Sequence, residues 1–315
     1  MGHLLILSLM LACGQDDTAQ DSTHPDSDTP DASEVTLAGA CALDVDYGGF
    51  TVSDDGVQGV VADGVVPISV LEAIATDGDC QLMRRNNPYC HPACDPGFTC
   101  DFDGECLPYP VNQDLGIVSI DGLASPVTLE PVFPGNTYYD TSLPAPPFEA
   151  GALVTLRMPE GVYGPATLYG VGVETIAPLD DEWVVEAGVD MQVRWEPPTG
   201  DVHRGEIALR VNIDQHGTTP GTLWCSFEDD GEGTVPAGIL ATLVQTGVTG
   251  FPSGSLARLT QDHTAAAAGC MDFAVSSSAT VRVDVIGYTS CVSDADCPDG
   301  QECNEELQIC EDVAE

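Results

Sequence analysis

Ile207-Ala208-Leu209-Arg210-Val211-Asn212-Ile213 decides the fold, because apolar residues occupy every second position of this stretch. The same alternation occurs at 191–195, where Met, Val and Trp alternate with Gln and Arg, and again at 281–285. Successive side chains of a strand point to opposite faces of the sheet, so each stretch predicts a strand with one buried face and one solvated face. This pattern is typical of antiparallel sheets.

Residues 126–289 contain enough such stretches for a complete β-domain. Further strands are predicted at 152–158, 166–173, 182–186, 221–227, 255–260 and 271–277. Many short strands at close spacing predict an all-β fold with a β-sandwich, immunoglobulin-like in style but without the Cys…Trp…Cys spacing of a true immunoglobulin domain. A short helix is expected within 234–243, with Pro236 at its start.

Residues 36–125 predict a separate small β-domain that precedes the sandwich. Short β-branched runs bounded by Asp-Gly turns are typical of sequential strands. Residues 68–75 fit a short helix as well as a strand. The predicted strand regions are 48–52, 57–61, 65–70 and 115–122.

Cysteines are unusually frequent, 13 in 315 residues, and most lie in two dense groups, within 80–106 and within 290–315. Pro-Gly and Asp-Gly turns between them predict small loop-rich modules held by disulfides, which form in an oxidising compartment. Zinc is the alternative, but the groups lack a clean Cys-x2-Cys pair. Gly97 and Gly300 each lie three residues after one cysteine and three before the next. We expect both glycines to adopt positive φ in equivalent turns.

The first group, Cys90-His-Pro-Ala-Cys94 through Cys100 to Cys106, resembles a truncated EGF-like or knottin-like motif. That resemblance implies interleaved pairing, Cys90–Cys100 with Cys94–Cys106. The second group echoes the first, and its expected pairs are Cys291–Cys303 and Cys297–Cys310. Spacing alone does not determine connectivity. The remaining expected pairs are Cys41–Cys80 and Cys225–Cys270.

The N-terminus begins with an apolar run at residues 4–12 that ends in Leu11-Ala12-Cys13-Gly14. The run is too short to span a bilayer and has the length of a signal-peptide core. Leu11–Gly14 resembles the lipobox of bacterial lipoproteins, which implies that residues 1–12 are removed and that Cys13 carries the lipid. Gly14, where inner-membrane lipoproteins tend to have Asp, favours the outer membrane. An ordinary cleaved signal, with Cys13 paired elsewhere, is the alternative.

Charge excludes one class of partner. The chain has 51 acidic and 8 basic residues, all of the latter Arg, for a net charge of −43. Such a field repels nucleic acid. Residues 13–35 are rich in Asp, Ser, Thr and Pro, which predicts a disordered acidic tether with a reach of roughly 25 Å.

Calcium is the one cofactor that this acidity suggests, with Asp229, Asp230, Asp294 and Asp296 as weak candidate ligands. Their spacing does not fit the EF-hand loop. Exposed acidic turns are the favoured interpretation, including a hairpin-type turn at 228–233.

Catalytic motifs are not found in the sequence, so we predict a protein that is not an enzyme. Ser253 and Ser255 near His263 could form a serine–histidine pair, but nothing in the sequence indicates an orienting acid or an oxyanion hole.

The layout resembles acidic, cysteine-rich surface lipoproteins of bacteria. We therefore expect a lipid-anchored cell-envelope protein with a binding or structural role, whose partner is a surface protein or a glycan. The alternatives are a calcium-dependent adhesion module and an accessory domain of a secreted hydrolase.

Overall fold

The computed structural model describes residues 31–200, 205–214 and 221–313, which form an all-β unit. No helix within these ranges is both long enough and apolar enough to cross a membrane. The one α-helix described, α1, is Ala237–Gln245. The strands are β1 Asp46–Ser53, β2 Gly56–Val61, β3 Leu71–Asp77, β4 Cys80–Arg85, β5 Phe98–Cys100, β6 Cys106–Pro108, β7 Val118–Asp121, β8 Val127–Leu129, β9 Tyr138–Asp140, β10 Leu153–Met158, β11 Ala166–Val171, β12 Glu182–Val185, β13 Met191–Arg194, β14 Glu206–Asn212, β15 Gly221–Phe227, β16 Glu232–Val235, β17 Ser253–Ala266, β18 Gly269–Val285, β19 Gln301–Asn304 and β20 Ile309–Asp312.

A ten-stranded sheet organises the unit, with the order β3-β4-β15-β14-β17-β18-β1-β2-β9 and β12 also paired to β18. The long hairpin β17–β18 lies at its centre. β17 pairs with one edge of β18, and two strands pair with the opposite edge. β1 pairs with the first half of β18 and β12 with its last four residues, both in parallel. The sheet is therefore mixed, whereas the alternating sequence pattern suggested antiparallel pairing.

Two hydrophobic cores lie along this hairpin. One core packs the sheet formed by β7, β8, β10 and β11 against β1, β2 and the first half of β18, with Phe50, Leu156 and Phe273 at its centre. The other packs α1, β13 and β16 against β4, β14, β15 and the second half of β18, around Trp183 and Trp195. The all-β class is thus confirmed, but the single sandwich expected within 126–289 is replaced by two cores on the two halves of one hairpin, and helix α1 contributes to the second.

A boundary near residue 125 does not divide these cores, which corrects the predicted two-domain arrangement. β1 and β2 come from the predicted small domain and pack with β18, while β4 pairs directly with β15. The described residues from Asp31 onward cluster as one compact unit. The sequence suggested two domains because the strands that join them are far apart along the chain.

Predictions for short segments of the chain agree better with the structure than the predicted domain boundary does. Helix α1 follows Pro236, which is its N-cap residue, as expected. The ambiguous 68–75 segment is a short 3-10 turn, Pro67–Ser69, followed by β3. The strands predicted at 255–260, 271–277 and 281–285 are pieces of β17 and β18. The chain does bend at 229–231, but this bend leads from β15 to β16, which lie in different sheets, so the expected hairpin-type turn is not formed.

Six disulfides pair all twelve cysteines of the described residues. The four interleaved pairs of the two modules are as expected: Cys90–Cys100, Cys94–Cys106, Cys291–Cys303 and Cys297–Cys310. Gly97 and Gly300 have φ of 92° and 90°, so the two turns match.

The other two predicted pairs are wrong, because their cysteines exchange partners. Cys41 bonds Cys270 at the start of β18, and Cys80 bonds Cys225 across the adjacent strands β4 and β15. Both bonds join the first 80 residues to the second half of the chain. They follow from the shared sheet, which the predicted domain boundary had divided.

Candidate functional site

A groove crosses five strands on the outer face of the main sheet. The strand register aligns one residue from each of β17, β18, β1, β2 and β9 in a single row. Their neighbours along the strands, such as Phe273 and Val275, are buried in the core beneath, so the row faces outward. This first row is Gln261, Ala274, Thr51, Gln58 and Tyr139.

A second row lies beside it and consists of His263, Asp272, Gly49 and Val60. The centre of the two rows carries only the small residues Gly49, Thr51 and Ala274, whereas larger side chains stand at the ends. This difference in size makes the groove, whose volume is about 700 Å³. That volume is within the range of small-molecule binding sites. We call it the sheet groove.

Polar groups at the rim of the sheet groove are not used by the fold. The amides of Gln58 and Gln261 and the hydroxyl of Tyr139 make no hydrogen bond to any residue of the described ranges. Tyr139 is 57% exposed and lies directly opposite Gln58 on the edge strand β9. These groups are therefore available to a ligand.

Two carboxylates complete the rim. The Asp46 side chain accepts a hydrogen bond from the Gly48 amide (2.8 Å), and Asp272 accepts one from the Cys41 amide (2.7 Å). Burial raises the pKa of Asp272 to about 6, and the negative charge of Asp46 adds to the rise. Oxygens of the two carboxylates lie within 4.8 Å of each other and of Cys41 Sγ, but that sulfur is bonded to Cys270 and is not a thiolate ligand.

The segment just before β1 is fixed beside the groove. This segment lies against the part of β17 that extends beyond its pairing with β14. There the Gly39 amide donates a hydrogen bond to the Gln261 carbonyl (3.1 Å). His263 Nδ1 lies 3.0 Å from the Gly39 carbonyl oxygen. Together with the Cys41–Cys270 disulfide, these contacts hold residues 38–41 against the hairpin.

The four candidate calcium ligands are not brought together. Asp229 is buried in an ion pair with Arg258, and Asp230 lies in the adjoining turn. In the C-terminal module the Asp294 carboxylate accepts from the Cys303 amide and that of Asp296 from the amides of Val292 and Ser293, so both hold the local backbone. The clusters of potential metal ligands found in the described ranges include none of the four aspartates.

Arg258 and Asp229 form a polar joint between the two cores. Arg258 is 2% exposed and donates from Nε and Nη2 to the two carboxylate oxygens of Asp229, at 2.7 and 3.0 Å. Its other N–H groups reach the carbonyls of Glu174, Thr175 and Glu196. Since a guanidinium has five N–H groups, all of them are used. Trp195 Nε1 donates to Asp229 as well (2.9 Å), so this network is structural although it borders a cavity of about 110 Å³.

The serine–histidine combination is ruled out as a working pair. Ser255 and His263 lie on the same strand, β17, eight residues apart. At about 3.4 Å per residue their backbones are about 27 Å apart, far beyond hydrogen-bonding reach.

One further prediction concerns a residue near the N-terminus. Cys13, the expected lipidation site, lies outside the described residues.

The sheet groove could not be predicted from the sequence, because its first row depends on the register between β1 and β18, whose partner residues are more than 200 positions apart. Thr51 and Gln58 lie in the strand regions predicted at 48–52 and 57–61, but the sequence does not relate these strands to β18.

A comparison with known protein families finds none that matches this chain, and a search of curated proteins finds no similar sequence.

Proposed function

We propose that this chain is a lipid-anchored protein of the bacterial cell envelope that presents the sheet groove to a ligand outside the cytoplasm. One observation carries the proposal: all twelve cysteines from Cys41 to Cys310 are consumed in six disulfides. Cys13 is thus the odd cysteine, and it stands in the lipobox-like Leu11-Ala12-Cys13-Gly14.

The disulfides also support the compartment. Six of them, two in the main body and four in the small modules, are expected where thiols are oxidised during folding. Cytosolic proteins keep such cysteines reduced. Export followed by lipidation accounts for both the six disulfides and the presence of a thirteenth cysteine, Cys13.

The arrangement of the chain supports a binding role. An acidic tether of residues 13–35 would let the folded body move roughly 25 Å from the membrane. The groove has free hydrogen-bonding groups and an exposed aromatic ring, which are the features of recognition sites. A net charge of −43 makes nucleic acid an unsuitable partner.

The test is expression of the full chain in a bacterium with an outer membrane, followed by detergent phase separation and membrane fractionation. Wild-type protein should enter the detergent phase and the outer-membrane fraction. Cys13→Ser should remain exported and folded but appear in the water phase, because one thiol carries the anchor. Gly14→Asp is the matched control: it should keep the lipid but move the protein to the inner membrane. A wild-type protein that stays in the water phase would refute the anchor.

A further inference from the structure

We infer that the sheet groove binds an uncharged oligosaccharide, laid across the strands along the row from Gln261 to Tyr139. The inference rests on the proposed function, since it names the ligand class of the same groove. The length of the groove, its hydrogen-bonding groups, its aromatic ring and its charge all suit a chain of sugar rings.

The shape favours an elongated ligand. The first row spans five strands, and four interstrand spacings of about 4.8 Å give a length of about 19 Å. That length suits a short chain of rings better than a single small molecule. The floor of Thr51 and Ala274 leaves room for such a chain, and the groove opens at the edge strand β9, where a longer polymer can continue past Tyr139.

The polar groups favour hydroxyls as their partners. An amide side chain both donates and accepts hydrogen bonds, as a sugar hydroxyl does. Gln58 and Gln261 supply two such amides toward the two ends of the row. Asp272 and Asp46 add acceptors along one side, each with one carboxylate oxygen already engaged by a backbone amide.

Tyr139 provides an apolar surface for a ring. Its side chain is 57% exposed on the edge strand, next to Gln58. A phenol ring combines a flat apolar face with a polar tip. The C–H face of a pyranose can pack on that ring while its hydroxyls reach the neighbouring amide.

Charge selects among ligand classes. The carboxylates at the rim and the net charge of −43 repel anionic polysaccharides and phosphorylated molecules. A cationic peptide would be attracted by the same field, but the row that defines the groove is neutral from end to end. The neutral row and the aromatic ring favour an uncharged glycan.

The experiment measures binding of the full-length purified protein in detergent by calorimetry. The probes are hexasaccharides of glucose, xylose and N-acetylglucosamine, with heparin and hexalysine as the anionic and cationic comparisons. We expect at least one neutral hexasaccharide to bind. Tyr139→Ala and Gln58→Ala should each weaken that binding about ten-fold or more, which corresponds to about 1.4 kcal/mol. Tyr139→Trp should retain it, since it keeps an aromatic face.

Tyr109→Ala is the matched control, because Tyr109 is also an exposed tyrosine (50%) but lies just after the first disulfide module, outside the sheet groove. Its binding should equal that of the wild type. The inference is overturned if no neutral probe binds with a Kd of about 1 mM or tighter. It is equally overturned if only heparin or hexalysine binds, or if Tyr109→Ala alone abolishes binding. Fractionation of the wild type reports separately on the anchor, so failure of the glycan inference and failure of the proposed function are distinguishable.

Discussion

Replacing Arg258 by Met should destabilise the protein more than any change to an exposed charge. Arg258 is almost wholly buried, and it satisfies both oxygens of Asp229 and three backbone carbonyls. Met fills similar volume but supplies no donor. Asp229 would remain buried with only the Trp195 N–H as a hydrogen-bond donor from another side chain.

The expected cost follows from that loss. Removing one partner of a buried ion pair typically costs about 3–5 kcal/mol, because an uncompensated charge is left in the interior. Replacing both partners, as in Arg258→Met with Asp229→Leu, removes the stranded charge and should recover part of the loss.

The assay is guanidinium unfolding followed by tryptophan fluorescence, with the disulfides intact. Arg194→Met is the matched control, because Arg194 pairs with Asp180 at 2.6 Å but its side chain is 56% exposed. Such surface pairs contribute about 0–1 kcal/mol. The reasoning is refuted if Arg258→Met costs no more than Arg194→Met, or if the double variant is much less stable than Arg258→Met alone.

Three further outcomes are expected. Replacing Cys41 and Cys270 together by Ala should lower the free energy of unfolding by about 2–5 kcal/mol, since this bond closes the longest loop; unfolding without reductant measures it, and an unchanged midpoint would contradict the assigned pairing. The pKa of Asp272 is raised to about 6 in the folded state, so protonation of this carboxyl stabilises the folded protein. The contribution of Asp272 to the free energy of unfolding should therefore increase on acidification from pH 7 towards pH 4. Asp272→Asn should remove that part of the pH dependence of stability, and an identical profile in both proteins would count against it. Gly254→Ala should destabilise by about 1–3 kcal/mol, because the added methyl overlaps the Trp183 ring, whereas Gly135→Ala, which meets only a methyl at 3.6 Å, should be nearly neutral in thermal melts.

The sequence predicted features that depend on neighbours along the chain. Alternation at 207–213 identified β14, and Pro236 located the start of α1. The two cysteine modules were predictable because each is closed by bonds of 10 to 13 residues. In these cases the determining interactions lie within one short segment.

Features that depend on distant pairing were not predictable in the same way. Alternation of apolar residues is interrupted at 276–280, Ser-Ser-Ser-Ala-Thr, so β18 looked like two strands. The structure shows why the interruption is tolerated: Ser277 is buried at the joint between the two cores and is satisfied by Asp54 and the Ile176 amide. Arg258 occupies the corresponding joint on β17.

The candidate site was hidden for the same reason. No local pattern specifies that Thr51 lies opposite Ala274, since β1 pairs with β18 in parallel across most of the chain. The exchange of partners between Cys41–Cys270 and Cys80–Cys225 has this origin too. One sheet built from both ends of the chain created the groove and moved the disulfides.

The most direct test of the central claim is the intact mass of the mature protein isolated from membranes, measured before and after reduction and alkylation. A lipid-modified chain that begins at Cys13, with twelve alkylatable thiols appearing only after reduction, is the predicted result. A lipid-free chain, or thiols that are alkylated without reduction, would contradict both the anchor and the oxidising compartment.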